Sequence, residues 1–348
     1  MPLSKIQDIE NQVVPNLGSN RNFIINGGMT VSQRGTSFTN PSSNAYCLDR
    51  YAIQWSSISP QFTVSQDNST PDGEGFSKSL KIATSNTQSE SGGAFMYQKV
   101  EGNNISNIMF GTSNAKRLVL SFYVKSSKTG TYSVGFHNNA FNRNLVSEYT
   151  ISSANTWEKK TISFVGDTSG TWTTDNTIGM GVYFHLANGD GGNTTSTLDT
   201  WQSGNFYLGS QNQVNLWDSS SATWFITGIS LEIGQNPTEF EHEPIERTLS
   251  KCQRYYFEPQ NFNSSNRYGI WQGATVSGQS FNTIAYLPVS MRTFPSTITT
   301  TTPTDHNFNA NTGATVTMTE QTVRIYYTAN GTDSDSYYYF NITADAEL

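Results

Sequence analysis

The sequence predicts an all-β protein: a jelly-roll β-sandwich, a short linker helix, then a smaller C-terminal β-sandwich. Three observations predict it. Small polar residues stand in for charge, since only 14% of the 348 residues are Asp, Glu, Lys or Arg and 35% are hydrophobic, while Ser, Thr and Asn supply roughly a third of the chain. Aromatics reach 13%, with 17 Tyr, 20 Phe and 7 Trp, too many for a disordered polymer and suited to pleated, half-buried surfaces. Short apolar runs are punctuated by Ser, Gly and Asn clusters, and no helical pattern alternates with them, which disfavours a doubly wound parallel sheet. A helical enzyme would carry more Ala, Leu, Glu and Lys.

The elements follow in order. Residues 1–20 form a leader in which Leu3, Ile6, Val13 and Leu17 are loosely spaced, while Pro15 and Gly18 forbid a long helix. The spacing suits an arm that docks on another protein, and equally a frayed terminus. Residues 21–241 read as about ten strands, a number that suits a two-sheet jelly roll. Tyr51–Trp55, Gln61–Ser65, Leu80–Thr84 and Ala94–Val100 come first. Leu118–Lys125 is the strongest, and Tyr132–His137, Val146–Ile151, Trp157–Phe164, Ile178–Leu186 and Thr223–Ile233 follow. Residues 187–222 are a long Gly- and Asn-rich excursion of the kind that carries function in compact domains. Residues 242–256 break the pattern, with Pro244 at a helix start and Ile245, Leu249 and Cys252 at helical spacing. Residues 257–348 form the second β module. Asn330-Gly331 reads as a hairpin turn between its last two strands.

Charge and cysteine usage exclude several classes. The net charge is −7 and no basic run stands out, so a nucleic-acid partner is not expected. Cys47 and Cys252 are too few and too far apart for a disulfide framework or zinc ribbon, and they read as two free buried thiols, with a single long-range bridge as the alternative. The four histidines lack metal-ligand spacing. No apolar run approaches the ~20 residues of a membrane span, and MPLSKIQDIENQ lacks a signal-peptide core. A composition suited to the outside, without an export signal, fits a virion protein released by lysis.

Three segments then carry a resemblance: Asn22 to Met29 with Gln33-Arg34-Gly35; Leu48-Asp49-Arg50-Tyr51; and Ile229 to Gly234 with Thr238-Glu239-Phe240-Glu241. Leu249 to Phe257, Leu287 to Arg292 with Pro295, and the closing Ala344 to Leu348 extend it over nearly the whole chain. The set resembles a domain of bacteriophage tail-fibre and other virion proteins, similar to a carbohydrate-binding-module jelly roll. The resemblance implies a fibre-like virion component, on the tail and homotrimeric, that docks through its N-terminus and meets a host-surface glycan or protein. It departs from the usual pattern in its short leader.

Candidate site residues were weighed on their chemistry. An exposed indole stacks on a pyranose ring while polar neighbours satisfy its hydroxyls, so Trp172, Trp201 and Trp217, which lie in polar loops, are candidates together with Asp190 and Asp199. Trp157 and Trp224 sit in strand patterns and read as core. Trp271 and Tyr337-Tyr338-Tyr339 suit a subunit interface equally well. Glu232, Glu239 and Glu241 are candidate ligands for a structural calcium, a hard cation, although no Ca-loop motif accompanies them; no other cofactor is expected. Asn26, Gln33, Arg34, Asp49 and Arg50 read as structural ties. No catalytic motif is present, so the chain is not expected to be an enzyme. Two alternatives stay open: a head-decoration or tail-accessory protein, and a polysaccharide-degrading enzyme using Asp190, Asp199 or Asp218.

Overall fold

The computed structural model describes residues 21–57, 59–88, 92–188, 193–205, 209–259, 269–295, 297–306, 308 and 315–348. The expected N-terminal arm and Asp190 lie outside these residues. In the first module the strands are β1 (Ser37–Thr39), β2 (Ala45–Tyr46), β3 (Ala52–Ser56), β4 (Phe62–Asp67), β5 (Ser79–Thr84), β6 (Gly93–Glu101), β7 (Leu118–Ser126), β8 (Gly130–His137), β9 (Arg143–Ile151), β10 (Glu158–Phe164), β11 (Ile178–Ala187), β12 (Gln202–Ser203) and β13 (Thr223–Ile233). A one-turn helix, α1 (Gly102–Ile105), leaves β6. A six-stranded sheet runs β1-β4-β5-β13-β7-β10, and a seven-stranded sheet runs β12-β9-β8-β11-β6-β3-β2. Neighbours distant in sequence lie side by side, as crossing between two layers requires.

The two-residue period explains the layers. In β7, Leu118, Leu120, Phe122 and Val124 are fully buried between the sheets, whereas Tyr123 and Lys125 point the other way. Met96, Val134, Phe136, Val182 and Phe184 fill the same core from the opposite sheet. A smaller aromatic cluster, Phe95, Tyr97 and Tyr183, sits on the far face of the seven-stranded sheet.

The second module contains β14 (Tyr256–Phe257), β15 (Gly269–Thr275), β16 (Ser280–Tyr286), β17 (Thr297–His306), β18 (Thr315–Met318), β19 (Thr322–Thr328) and β20 (Asp333–Asp345). The long β20 pairs with β14, β15 and β17, and a separate sheet runs β16-β19-β18. Its core includes Met291, Val323, Ile325 and Ile342. The expected Asn330-Gly331 hairpin is corrected here. β19 and β20 belong to different sheets, and neither residue has the positive φ a primed turn needs; the segment carries the chain from one layer to the other.

The linker helix is α2 (Ile245–Gln253), preceded by Pro244. It leads into a buried polar joint between the modules. Arg34 and Arg50 both ion-pair with Glu347, and the Arg50 guanidinium lies 3.5 Å from the Tyr255 ring centroid. Glu101 accepts from Arg254 Nη2 at 2.6 Å and from Tyr255 Oη at 2.7 Å. Burial alone would raise the Glu101 carboxyl, but these hydrogen bonds outweigh it and hold it below the ordinary range. Burial raises Glu347, against the opposing pull of Arg50 and Arg34. Asp49, raised by burial, accepts from the Gln33 backbone and side chain at 2.5 Å each. The Gln33-Arg34, Asp49-Arg50, Arg254-Tyr255, Arg292 and Glu347 positions, scattered through the resemblance motifs, therefore form one joint. Asn26, Gln33, Arg34, Asp49 and Arg50 are ties, as expected. Cys47 and Cys252 are free and buried.

Candidate functional site

One end of the sandwich gathers the loops that leave β6 and β10. The 102–117 loop and the 165–177 loop pack backbone to backbone, which requires glycine: a Cβ on Gly102 would meet the Thr173 carbonyl oxygen at 2.6 Å, and one on Gly111, at φ +80°, the Gly170 carbonyl oxygen at 2.7 Å. Between the loops lies an open cleft of about 240 Å³, lined by Ile105, Ile108, Met109, Phe110, Trp172 and Thr173 among others. A second groove, at the Asn26–Gly28 turn, is smaller at about 70 Å³.

Trp172 and Trp201 meet beside this cleft. Their rings are T-shaped with centroids 5.2 Å apart, and Phe110 packs edge-on against both, at 4.9 and 5.5 Å. Each such pair contributes about 0.5–1.5 kcal/mol beyond area burial. Both indoles are half-buried. Their N–H groups are satisfied inward: Trp201 Nε1 donates to the Val165 carbonyl at 2.8 Å, and Trp172 Nε1 to Asp167 Oδ2 and the Ser169 carbonyl at 3.3 and 3.2 Å. The rings are thus fixed without using the surface that remains open.

Asp167 and Arg143 are the supports that the sequence reading missed. Asp167, 2% exposed, accepts from Arg143 Nε at 2.7 Å and Nη2 at 2.6 Å, a bidentate pair of the strong kind. It also accepts from the Ser169 backbone N–H at 3.1 Å. That Asp-x-Ser turn was the available signal.

The remaining candidates stand elsewhere. Trp217 is corrected: it is fully buried, edge-on against Phe62 with centroids 5.4 Å apart, because the Asn215 side chain caps a 3₁₀ turn that folds the indole inward. It offers no face to a ligand. Asp199, at φ 56°, accepts from Ser147 Oγ at 2.6 Å, so its carboxylate anchors the loop beside β9. Glu232 is buried, and its two carboxylate oxygens accept from the Thr238 backbone N–H and Oγ1 at 2.8 and 2.9 Å. Among the described residues no three His, Cys, Asp or Glu side chains gather where they could hold a metal ion, so Glu232, Glu239 and Glu241 do not form the expected calcium set. Asp218 ion-pairs with Lys128 at the surface. Trp224 is core as expected. Trp157 is corrected: it is half-exposed on the outer face of the six-stranded sheet, edge-on to Phe225, since Ile162 and Phe164 point inward and the two-residue period turns odd positions out.

No family model matches the chain, and no curated protein matches it. Among solved structures it is similar to the enzymatically active domain of tailspike protein 4 from bacteriophage CBA120, at 14% identity and a TM-score of 0.33, covering 61% of this chain and 21% of that one. It is similar to a family 11 carbohydrate-binding module of a Clostridium thermocellum cellulosomal cellulase, at 12% identity and a TM-score of 0.30, covering 57% and 97%. It is also similar to TmCBM61, solved with beta-1,4-galactotriose, at 10% identity and a TM-score of 0.31, covering 62% and 100%. The chain thus spans about a fifth of the tailspike chain it matches. The all-β architecture rests on the strands described above, not on these likenesses.

Proposed function

We propose that this chain is a fibre-like phage virion component that attaches to host-surface glycan through the cleft lined by Trp172, with Trp201 beside it. One observation carries the reading. Two half-exposed indoles and Phe110 are locked in place beside an open cleft, with their N–H groups already satisfied, and such preformed aromatic surfaces suit a sugar ring. The buried joint fixes the second module against the first, so any loops presented are presented rigidly. The N-terminal leader is assigned to docking on the particle. Three copies on a tail would multiply weak single-site binding through effective concentration.

The mechanism is binding without chemistry. A glycosidase needs two carboxylates at a defined separation, one held protonated. Among the described residues, the carboxyls raised by burial, Asp49 and Glu347, are committed to the joint. Asp175, near the cleft, is instead lowered by hydrogen bonds from Thr177. The test is to titrate purified protein with oligosaccharides from host envelope polysaccharide and follow the heat of binding. Trp172→Ala and Trp201→Ala are expected to weaken binding at least about tenfold, as loss of a stacking contact does, with no release of reducing ends by any form. Unchanged affinity in both variants, with the fold intact by circular dichroism, would overturn the reading.

A further inference from the structure

The outer face of the six-stranded sheet holds an arrangement that attachment through the cleft does not use. Three lysines from three strands stand over aromatic rings. Lys125 on β7 lies 4.1 Å from the Phe225 ring centroid and 5.1 Å from that of Trp157. Lys81 on β5 lies 5.3 Å from Phe225, and Lys159 on β10 lies 5.3 Å from Tyr123. The register explains the alignment: Phe225 pairs with Lys81 on one side and Lys125 on the other, and Lys159 pairs with Tyr123. A transverse row therefore alternates aromatic and cation, with Lys125 and Lys81 two strands, about 9.6 Å, apart.

Burial of Phe225 and Tyr123, at 8% and 6% exposure, needs only the lysine stems. It does not need the ammonium groups to lack acidic partners. Elsewhere several cations are matched: Lys128 with Asp218, Lys160 with Glu158, Lys251 with Glu243, Arg143 with Asp167 and Arg254 with Glu101. On this face, among the described residues, Asp67 alone forms an ion pair, 3.6 Å from Lys81, while Lys125 donates to the neutral Ser69 hydroxyl. Glu74 also reaches this face, as the hydrogen-bond partner of the Tyr123 hydroxyl, so three lysines stand there against two carboxylates, Asp67 and Glu74, in a chain whose net charge is −7. Burial, and then Lys81 nearby, hold Lys125 below the ordinary lysine range against the pull of Asp67.

We propose that this face is a second binding surface, for an acidic polysaccharide, with Lys81, Lys125 and Lys159 meeting carboxylates and with Trp157 stacking on a sugar ring. An uncharged glycan would gain nothing from the lysines, and the half-exposed Trp157 ring favours a sugar polymer over a bare polyanion. The inference rests on the attachment reading for its ligand class but not for its site.

The experiment is affinity electrophoresis of the full chain in gels containing polygalacturonate or its fully methyl-esterified form, which keeps the backbone and removes the charge. Wild type is expected to be retarded by polygalacturonate only, with a log–log salt slope of about 2 for three contacts to a single-stranded polyanion. Lys81→Gln/Lys125→Gln/Lys159→Gln is expected to lose about tenfold in affinity, while the corresponding triple arginine variant retains binding. Because the glutamine variant could lose affinity by misfolding, its circular dichroism and melting are compared with those of the arginine variant. Trp172→Ala/Trp201→Ala is expected to keep polygalacturonate binding; its loss would assign the polymer to the cleft and overturn this inference alone. No retardation at low salt, equal retardation by the ester, or equal affinity for duplex DNA would overturn it too. Acidic binding without any neutral-glycan binding would instead sink the cleft reading and leave this one standing.

Discussion

His137 makes the sandwich acid-sensitive in a way that can be calculated. It lies on β8, fully buried, edge-on to Tyr183 with centroids 4.8 Å apart and 5.4 Å from the Phe141 ring. Neither ring nitrogen has a hydrogen-bond partner. Burial first, and then His185, lower its pKa to about 3. The native ring is therefore neutral where the unfolded one, titrating near 6.5, takes up a proton. The stabilisation is fully present above about pH 6.5 and is lost as pH falls toward 3, at about 1.36 kcal/mol per pH unit. At pH 4.5, two units below the unfolded value, this amounts to about 2.7 kcal/mol. His137→Phe keeps a planar ring and removes the titration; at neutral pH it is expected to shift stability by less than about 1.5 kcal/mol. The assay is urea unfolding at pH 7.5 and 4.5, followed by the fluorescence of the buried Trp217 and Trp224. Paired carboxylates weaken with acid in both proteins and cancel in the comparison. Wild type should lose about 2.7 kcal/mol more than His137→Phe over this interval; equal losses would refute the assignment.

Three further outcomes are expected. Glu347→Gln leaves Arg50 as an uncompensated buried cation, while Arg34 keeps Asp345 at 3.2 Å, and should cost about 3–5 kcal/mol, read as a lower melting temperature with earlier proteolysis between the modules. Trp217→Ala should cost about 3–5 kcal/mol, as a core truncation does, and leave glycan affinity per folded molecule unchanged. Cys47, pushed up to about 12 by burial, and Cys252, also raised well above the ordinary thiol range by burial, should resist a thiol reagent in native protein at neutral pH and react on addition of denaturant.

The strands were legible because their signal is local. Leu118–Lys125 alternates at a period of two, and the hydroxyl-rich turns mark where it stops. The linker helix was legible for the same reason, from Pro244 and the spacing of Ile245, Leu249 and Cys252. The joint was legible only in part. Arg34, Asp49 and Arg50 read as ties, but Glu347 lies 297 residues from Arg50, and no spacing links them. Trp217 was misread because Asn215, Asp218 and three serines make its surroundings polar in sequence, while the capped turn buries the ring in space. Trp157 was misread for the opposite reason: a strand position says nothing of which face until Ile162 and Phe164 set the phase. Within the cleft, Trp172 and Trp201 could be nominated one by one, yet their meeting depends on Phe110, Asp167 and Arg143, which come from three other segments. The lysine face escaped notice because its members, spaced along three strands, form no basic run.

The central claim is that Trp172 and Trp201 contact the glycan. The direct measurement is ¹⁹F NMR of protein labelled with 5-fluorotryptophan, whose 7 tryptophans are assigned by single substitutions and titrated with a host-envelope oligosaccharide. Saturable shifts confined to Trp172 and Trp201, with the buried Trp217 and Trp224 unmoved, are the predicted result. Shifts only at Trp157 or Trp271, or none at a concentration that saturates binding, would contradict the account.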